Sequence, residues 1–248
     1  MTTRMDRLSA VKREAYQRLR ALVTLRAGGG PAGLVLVHPV GGALFCYLPL
    51  LARLPGDLTV VGFAADAPME GLTIGAIARR YEAVLPRKRW VYCGWSFGGA
   101  VAYEMSRPSA SPVVLLDTDP HGREGTLEPD EVTIQRWFAH DLARLNGIPE
   151  SAASTLLSSE LPDRYRLFAA NARALSAYRP GRHEGPVTWV RAPRPVDESA
   201  AWLPFCRNLT VHEVPGADHY TLLSPQHVDV VAKAIVETME TCHGFRLE

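Results

Sequence analysis

One segment, residues 90–102, limits the possible folds of this chain more than any other. A short apolar run at residues 90–93 leads directly into Gly-Trp-Ser-Phe-Gly at residues 94–98, and a helix-favouring stretch follows. A strand, Gly-x-Ser-x-Gly and a helix in this order form a nucleophile elbow, a sharp turn that exposes a serine hydroxyl. The flanking glycines are needed because a Cβ there would strike neighbouring backbone. The segment therefore predicts Ser96 as a nucleophile.

The rest of the chain predicts the sheet that an elbow requires. From residue 33 onward, short apolar and β-branched runs alternate with helical stretches, which is typical of a mostly parallel sheet with helices on both faces. The predicted strands are 34–37, 58–63, 90–93, 113–116, 187–190 and 209–214, and the predicted helices are 45–53, 74–85, 97–105 and 227–240. Of the 248 residues, 47% are hydrophobic, which is enough for one large core. We expect an α/β-hydrolase fold over residues 33–248.

Two stretches depart from this alternation. Residues 121–185 form a long insertion with helical patterns at 130–146 and 162–177. We expect this insertion to be a helical lid, because ligands of open α/β sheets bind beside the carboxyl ends of the strands. Near the N-terminus, residues 4–26 carry many Arg and Lys side chains and predict a basic amphipathic helix. Residues 1–32 are therefore predicted to be a helix or linker that lies on the domain or docks to a carrier domain.

A serine nucleophile needs a base that takes its proton and an acid that orients the base. In α/β hydrolases these residues follow one another in the order Ser, acid, His. Of the eight histidines, only His212 and His219 lie after Ser96, outside the insertion and ahead of the final helix. His212 lies in an alternating strand, where we expect it to face solvent, whereas His219 lies in a turn-rich loop before the final helix. His219 is therefore the predicted base.

Several carboxylates are candidates for the acid. Asp117 ends the predicted strand after the elbow, which places it at the catalytic edge of the sheet, and Asp119 is two residues further on. Asp197 follows the next predicted strand, at a position that many α/β hydrolases use. Asp218 adjoins His219, but successive side chains in a loop usually diverge. Spacing alone leaves Asp117 and Asp197 equally good.

The glycine-containing loop after the first predicted strand, residues 36–42, is suited to an oxyanion hole. Glycines allow the backbone to turn an N–H group toward the developing oxyanion, and one good donor lowers the barrier by about 3 kcal/mol. We predict the amides of Val40 and Phe97 as the donors. The loop contains no Gly-x-Gly-x-x-Gly and no P-loop lysine, so phosphate binding is not indicated.

Composition excludes several other functions. The 27 Lys and Arg nearly balance the 26 Asp and Glu, and a net charge of +1 gives no field that would attract nucleic acid or an anionic membrane. The four cysteines lack the paired spacing of a zinc or redox site, so no metal is expected and a reducing compartment is indicated. The sequence also lacks an apolar run of the roughly 20 residues that a membrane helix needs and an N-terminal signal core. We expect a soluble cytoplasmic protein.

Five segments together resemble the thioesterase domains of nonribosomal peptide and mixed peptide–polyketide synthetases. They are residues 37–42, 94–99, 115–118, 171–178 and 214–220. The resemblance implies Asp117 as the acid, His219 as the base and a mobile lid. It also implies that the acyl donor is a thioester on the phosphopantetheine arm of an acyl or peptidyl carrier protein, so the domain itself needs no cofactor. The path from Val190 to the last strand looks shorter than usual for the family, which keeps Asp197 in consideration.

These features together predict a serine thioesterase of secondary-metabolite biosynthesis. Ser96 would accept a peptidyl or polyketidyl chain and release it by hydrolysis or macrocyclisation. One alternative is a stand-alone editing (type II) thioesterase, which would tolerate short acyl chains on misloaded carriers. A carboxylesterase would instead prefer oxygen esters. A noncatalytic binding module with a hydrolase fold would not react with a phosphonate, and the joint presence of Ser96, Asp117 and His219 argues against it.

Overall fold

A mostly parallel sheet forms the centre of the protein in the computed structural model, which describes residues 21–65, 67–121, 128–159, 161–194 and 200–243. The strands are β1 (Leu22–Arg26), β2 (Ala32–Val37), β3 (Thr59–Phe63), β4 (Arg89–Trp95), β5 (Val113–Leu116), β6 (His183–Arg191) and β7 (Cys206–Glu213). Their order in the 7-stranded sheet is β1-β3-β2-β4-β5-β6-β7. β1 is antiparallel to β3, and all other neighbouring pairs are parallel. The predicted α/β-hydrolase fold is confirmed, and so are all of its predicted strands.

Helices cover both faces of this sheet. They are α1 (Leu48–Leu51), α2 (Ile74–Glu82), α3 (Phe97–Ser106), α4 (Glu131–Asn146), α5 (Glu150–Ser159), α6 (Pro162–Ser176) and α7 (Val228–His243). Successive side chains of a strand point to opposite faces, so β2 contributes to two cores. Leu34 and Leu36 pack with Ile235 of α7 on one face. Val35 packs with Ile77 of α2 on the other.

The N-terminal prediction is wrong where the structure can be compared with it. Leu22–Arg26, the end of the helix predicted over residues 4–26, forms the edge strand β1, and residues 1–20 lie outside the described residues. Leu22 pairs with Phe63 of β3 in an antiparallel register. The β-branched Val23 and Thr24 favour this extended conformation. A strand of the central sheet therefore lies within the segment that was assigned to a helix or linker.

Three helices, α4 to α6, form the insertion between β5 and β6. Helices α4 and α6 share a small apolar cluster that includes Trp137, Phe138 and Phe168, and Ala153 of α5 packs with Ala139 and Ala143 of α4. Asp130 caps α4 by accepting a hydrogen bond from the Thr133 amide at 2.8 Å, and Gly147, with φ of 63°, ends it where the sequence predicted a stop. Helix α5 was not predicted. No helix within the described ranges is long and apolar enough to cross a membrane.

Candidate active site

Ser96 lies on a strained turn between the end of β4 and the start of α3. Its φ of 56° and ψ of −121° fall outside the regions that L-residues usually occupy. A Cβ added to Gly94 would lie 2.1 Å from the carbonyl of Gly98, and one added to Gly98 would lie 2.3 Å from the carbonyl oxygen of Val37. Both glycines are therefore required by close backbone approach, as the elbow motif predicted.

Asp117 and His219 meet at the carboxyl edge of the sheet. Asp117 directly follows β5, and its Oδ2 lies 2.6 Å from Nδ1 of His219. Its Oδ1 accepts a hydrogen bond from the amide of Ala192 at 3.0 Å. The Asp117 side chain is 4% exposed, whereas that of His219 is 33% exposed. The carboxylate is thus buried and fixed at both oxygens, while the imidazole reaches the solvent-accessible side.

The surroundings of Asp117 keep it ionised. Burial by itself raises the pKa of this carboxyl group. The hydrogen bond and charge of His219, the Ala192 amide and the Arg194 guanidinium together outweigh that effect and hold its pKa below the usual value. An ionised carboxylate can only accept hydrogen bonds, so Nδ1 of His219 carries the proton that joins the pair. Nε2 of the neutral imidazole then retains its lone pair and can act as a base.

A cavity of about 420 Å³ brings most of the predicted site residues together. Ser96, Asp117, His219 and Val40 all line it. The insertion contributes apolar walls, including Trp137 of α4 and Leu175 of α6. The Phe97 side chain is fully buried, and its amide stands at the first position of α3, next to Ser96.

The other candidate acids are engaged elsewhere or lie outside the described residues. Asp119 lines the cavity and forms an ion pair with Arg194 at 3.2 Å. Asp218 also lines the cavity and forms an ion pair with Arg144 of α4. Asp197 lies in residues 195–199, outside the described part of the chain. Among the described residues, no group of three or more His, Cys, Asp or Glu side chains could hold a metal ion.

A buried histidine fixes the loop that carries Val40. His38 lies 2.7 Å through Nδ1 from the carbonyl oxygen of Pro39, which also accepts the amide of Gly42 at 2.9 Å. Because the Pro39–Val40 peptide is trans, the N–H of Val40 points the opposite way from this anchored carbonyl. His38 precedes Ser96, so chain order excludes it as the base, and no sequence motif predicted this structural role.

His38 is held in its neutral form. Burial lowers its pKa to about 4, although the hydrogen bond to Pro39 acts in the opposite direction. With Nδ1 donating to Pro39, Nε2 accepts the hydroxyl of Tyr81 at 2.7 Å. The ring also stacks on Phe97 with 5.6 Å between centroids. One imidazole therefore contacts both segments that were predicted to supply the oxyanion hole.

Two further residues were missed because their contacts come from distant parts of the chain. The Tyr47 hydroxyl donates to the Val37 carbonyl at 2.7 Å and accepts the Trp95 amide at 2.8 Å. It thereby fixes the distance between the ends of β2 and β4. Asn171 of α6 donates from Nδ2 to the carbonyl of Val40 at 2.8 Å. No sequence motif identifies Tyr47, whereas Asn171 is the first residue of one of the five family-like segments.

A second serine–histidine contact shows why proximity alone does not make a nucleophile. Ser106 Oγ lies 2.9 Å from Nε2 of His183, and both residues are fully buried. Nδ1 of His183 accepts the Gly185 amide at 3.0 Å, so the ring proton is on Nε2 and is donated to Ser106. The Ser106 hydroxyl itself donates to the Tyr103 carbonyl at 2.9 Å. This histidine cannot take the serine proton, whereas His219 has the opposite tautomer and lines a cavity.

The chain is similar to known proteins of one family. Residues 32–242 match the thioesterase domain family. A dimodular nonribosomal peptide synthase of Bacillus subtilis (strain 168) is 24% identical over 262 residues, which is 90% of this chain but only 11% of that protein.

Among solved structures, the four-domain nonribosomal peptide synthetase AB3403 bound to AMP and glycine is similar at a TM-score of 0.74 and 27% identity, over 88% of this chain and 20% of that one. The NocB thioesterase domain in covalent complex with a fluorophosphonate nocardicin G analogue is also similar. Its TM-score is 0.66 and its sequence identity 25%, over 88% of this chain and 99% of that one.

Proposed function

The chain belongs to the thioesterase domain family, whose members are hydrolases, and from this premise we propose that Ser96, Asp117 and His219 are its catalytic triad. The observation that carries the proposal is the 2.6 Å contact between Asp117 and Nδ1 of His219. It lies in the same cavity as Ser96, which occupies a strained turn. A fixed acid, a base with a free Nε2 and a serine at an elbow are the parts that acyl transfer requires.

The first half of the proposed reaction transfers the acyl group to the enzyme. Nε2 of His219 removes the hydroxyl proton of Ser96, and Oγ forms a bond to the thioester carbonyl carbon. The amides of Val40 and Phe97 stabilise the oxyanion of the tetrahedral intermediate. The C–S bond then breaks, and the protonated His219 returns its proton to the leaving thiolate. Ser96 is left as an oxygen ester, and Asp117 stays ionised throughout.

The second half releases the chain. His219 removes a proton from water or from an amine or hydroxyl of the acyl chain itself, and that nucleophile attacks the ester carbonyl. Breaking the C–Oγ bond returns a proton to Ser96 and gives a free acid or a macrocycle. The apolar walls from α4 and α6 limit the access of water to the ester, so the insertion acts as the lid that influences which product forms.

We propose that the substrate is a peptidyl or polyketidyl chain on the phosphopantetheine arm of a carrier protein. The chain's similarity to large synthetases supports this proposal. The cavity also offers both apolar surface, at Trp137 and Leu175, and a polar pair, Arg194 with Asp119, along its walls. Such a mixed lining fits a peptide-like chain better than a simple fatty acyl group.

The test uses covalent loading of the serine. The wild-type protein should gain the mass of an acyl group after exposure to an acyl-loaded carrier, and Ser96→Ala should not. Ser106→Ala is the matched control, because it removes a buried serine that also contacts a histidine; it should load as the wild type does. Persistent loading of Ser96→Ala would overturn the assignment. Faster turnover of a simple oxygen ester than of the carrier thioester would instead indicate a carboxylesterase.

A further inference from the structure

Val40 belongs both to the loop after β2 and to the packing of the insertion. Its side chain packs against the apolar cluster that contains Trp137 and Phe168. Its carbonyl accepts a hydrogen bond from Nδ2 of Asn171 at 2.8 Å. Asn171 is fully buried, so water does not compete for this contact. The residue whose amide is proposed as an oxyanion donor is therefore bound to helix α6 through its own carbonyl and side chain.

Helix α6 covers the same loop one turn earlier. A Cβ added to Gly42 would lie 2.5 Å from Cδ2 of Leu167 and 2.6 Å from the carbonyl oxygen of Ala65. Gly42 also has a φ of 83°, which glycine adopts freely. Leu167 and Asn171 are four residues apart and therefore lie on the same face of α6. This face is seated on the loop through one apolar contact and one hydrogen bond.

The two peptide groups that flank the α-carbon of Val40 are both anchored. The carbonyl of Pro39, in the peptide that carries the Val40 N–H, is held within the loop by His38 and Gly42. The carbonyl of Val40, in the next peptide, is held by Asn171 from the insertion side. The direction of the Val40 N–H thus depends on both attachments, because a rotation at either peptide changes the torsions at Val40.

The chemistry of Asn171 suggests that its hydrogen bond matters more than its packing. Its Oδ1 is buried and makes no hydrogen bond. An unsatisfied buried oxygen costs free energy that an apolar side chain of similar size, such as leucine, would not. The hydrogen bond from Nδ2 of Asn171 to the Val40 carbonyl compensates for part of this cost.

Resting on the proposed function, we propose that Asn171 is a positioning residue for the oxyanion hole. Its hydrogen bond keeps the Val40 amide aimed at the oxyanion, so the hole is complete only while α6 is seated on the loop. Movement of the lid and stabilisation of the transition state are thereby linked by a single side chain. Asn171 does not touch the reacting atoms and acts only through Val40.

The test compares Asn171→Ala and Asn171→Leu with the wild type, because neither variant can donate to Val40. We expect kcat for a small acyl thioester to fall by about 10- to 100-fold with KM little changed, since misplacing a donor affects mainly the transition state. The affinity of a boronic acid that forms a tetrahedral adduct with Ser96 should fall by the same factor. The pH midpoint of kcat/KM should not move, because the Asp117–His219 pair is left intact.

Two variants of α6 separate this role from a general one in folding. Phe168→Leu loosens the packing of α6 without removing the hydrogen bond, and Ser176→Ala removes a buried hydroxyl elsewhere on the same helix. Rates are expressed per active site, counted by complete reaction with a fluorophosphonate. We expect Ser176→Ala to match the wild type and Phe168→Leu to lose stability without a matched loss of boronate affinity.

Specific results would overturn the inference. One such result is wild-type kcat and boronate affinity in both Asn171 variants. Another is a Phe168→Leu variant whose kcat and boronate affinity fall as far as those expected of the Asn171 variants, with KM and the pH midpoint unchanged. Failure of the proposed function can be distinguished from failure of this inference, because the proposed function fails only if the Ser96→Ala variant still turns over the acyl thioester. An inactive Ser96→Ala protein beside fully active Asn171 variants would overturn the role of Asn171 alone.

Discussion

The sheet edge and the helical insertion contribute to the same cavity but are held in place by different forces. At the sheet edge, the amide of Ser96 donates to the Leu116 carbonyl at 2.9 Å, and that of Asp117 donates to the Val190 carbonyl at 2.8 Å. The insertion reaches the rest of the domain partly through exposed ion pairs, such as Arg144 with Asp218 and Arg166 with Glu70. Exposed pairs contribute only about 0–1 kcal/mol each. The difference suggests a rigid set of chemical groups beneath a more adjustable cover.

The largest expected effect lies at the sheet edge, in Asp117→Asn. An asparagine would favour the wrong tautomer of His219, and kcat should fall by about 10⁴-fold, as expected when a triad acid is neutralised. The rate is measured by release of thiol from a small acyl thioester.

Asp119→Asn is the matched control, since Asp119 lies two residues away and lines the same cavity. It should keep activity within a few-fold of the wild type. Retained activity in Asp117→Asn, together with its loss in Asp197→Asn, would move the acid to the segment outside the described residues.

A smaller effect is expected on the free energy of unfolding at acidic pH, and it comes from His38, at the end of β2 in the sheet. The pKa of His38 is lowered to about 4, so the unfolded chain binds its proton at higher pH than the folded protein does. Stability is therefore greatest above the unfolded pKa of about 6.5 and falls as the pH drops toward 4, by about 3 kcal/mol from this group.

His38→Asn should flatten this dependence, because the Asn Nδ2 can replace the Nδ1 donor but does not titrate. Urea unfolding at pH 7, 5.5 and 4 measures the difference between the two proteins. His183, whose pKa burial also lowers, and Asp117 are unchanged in both, so their contributions cancel. Equal pH dependence in the two proteins would show that His38 is not held neutral.

The smallest effect is expected at the insertion, for Arg144→Ala. This change removes an exposed ion pair with Asp218 and a contact 5.1 Å from the Tyr220 ring centre. We expect a loss below about 1 kcal/mol in unfolding free energy, and a change in rate of a few-fold that disappears at 1 M salt. A large loss that persists in salt would mean that the insertion is held as firmly as the sheet edge and would contradict the comparison.

The parts of the fold and site that could be predicted are those encoded locally. The elbow needs only a strand, two glycines and a helix start, and the position of His219 follows from chain order. Asp117 and Asp197 could not be separated by spacing, because both follow parallel strands that end at the same edge. The resemblance favoured Asp117, and the structure gives it a contact with His219.

The missed features depend on contacts between distant segments. Tyr47 joins the ends of two strands, and Asn171 reaches a loop that is 131 residues away in sequence. The strand Leu22–Arg26 was read as the end of a helix, although Val23 and Thr24 carried a local β signal that the basic composition obscured. Helix α5 is rich in serine and alanine, and its sequence has no apolar stripe clear enough to predict a helix.

The left-handed backbone at two of the proposed triad residues has an evolutionary consequence. Ser96 and Asp117 have φ values of 56° and 42°, and each such conformation costs a non-glycine residue about 1–3 kcal/mol. Glycine would relieve that cost at either position. A lineage released from selection for catalysis would therefore gain stability by drifting to glycine at these two sites. The serine and the aspartate are therefore positions where we expect the requirements of reactivity and of stability to conflict.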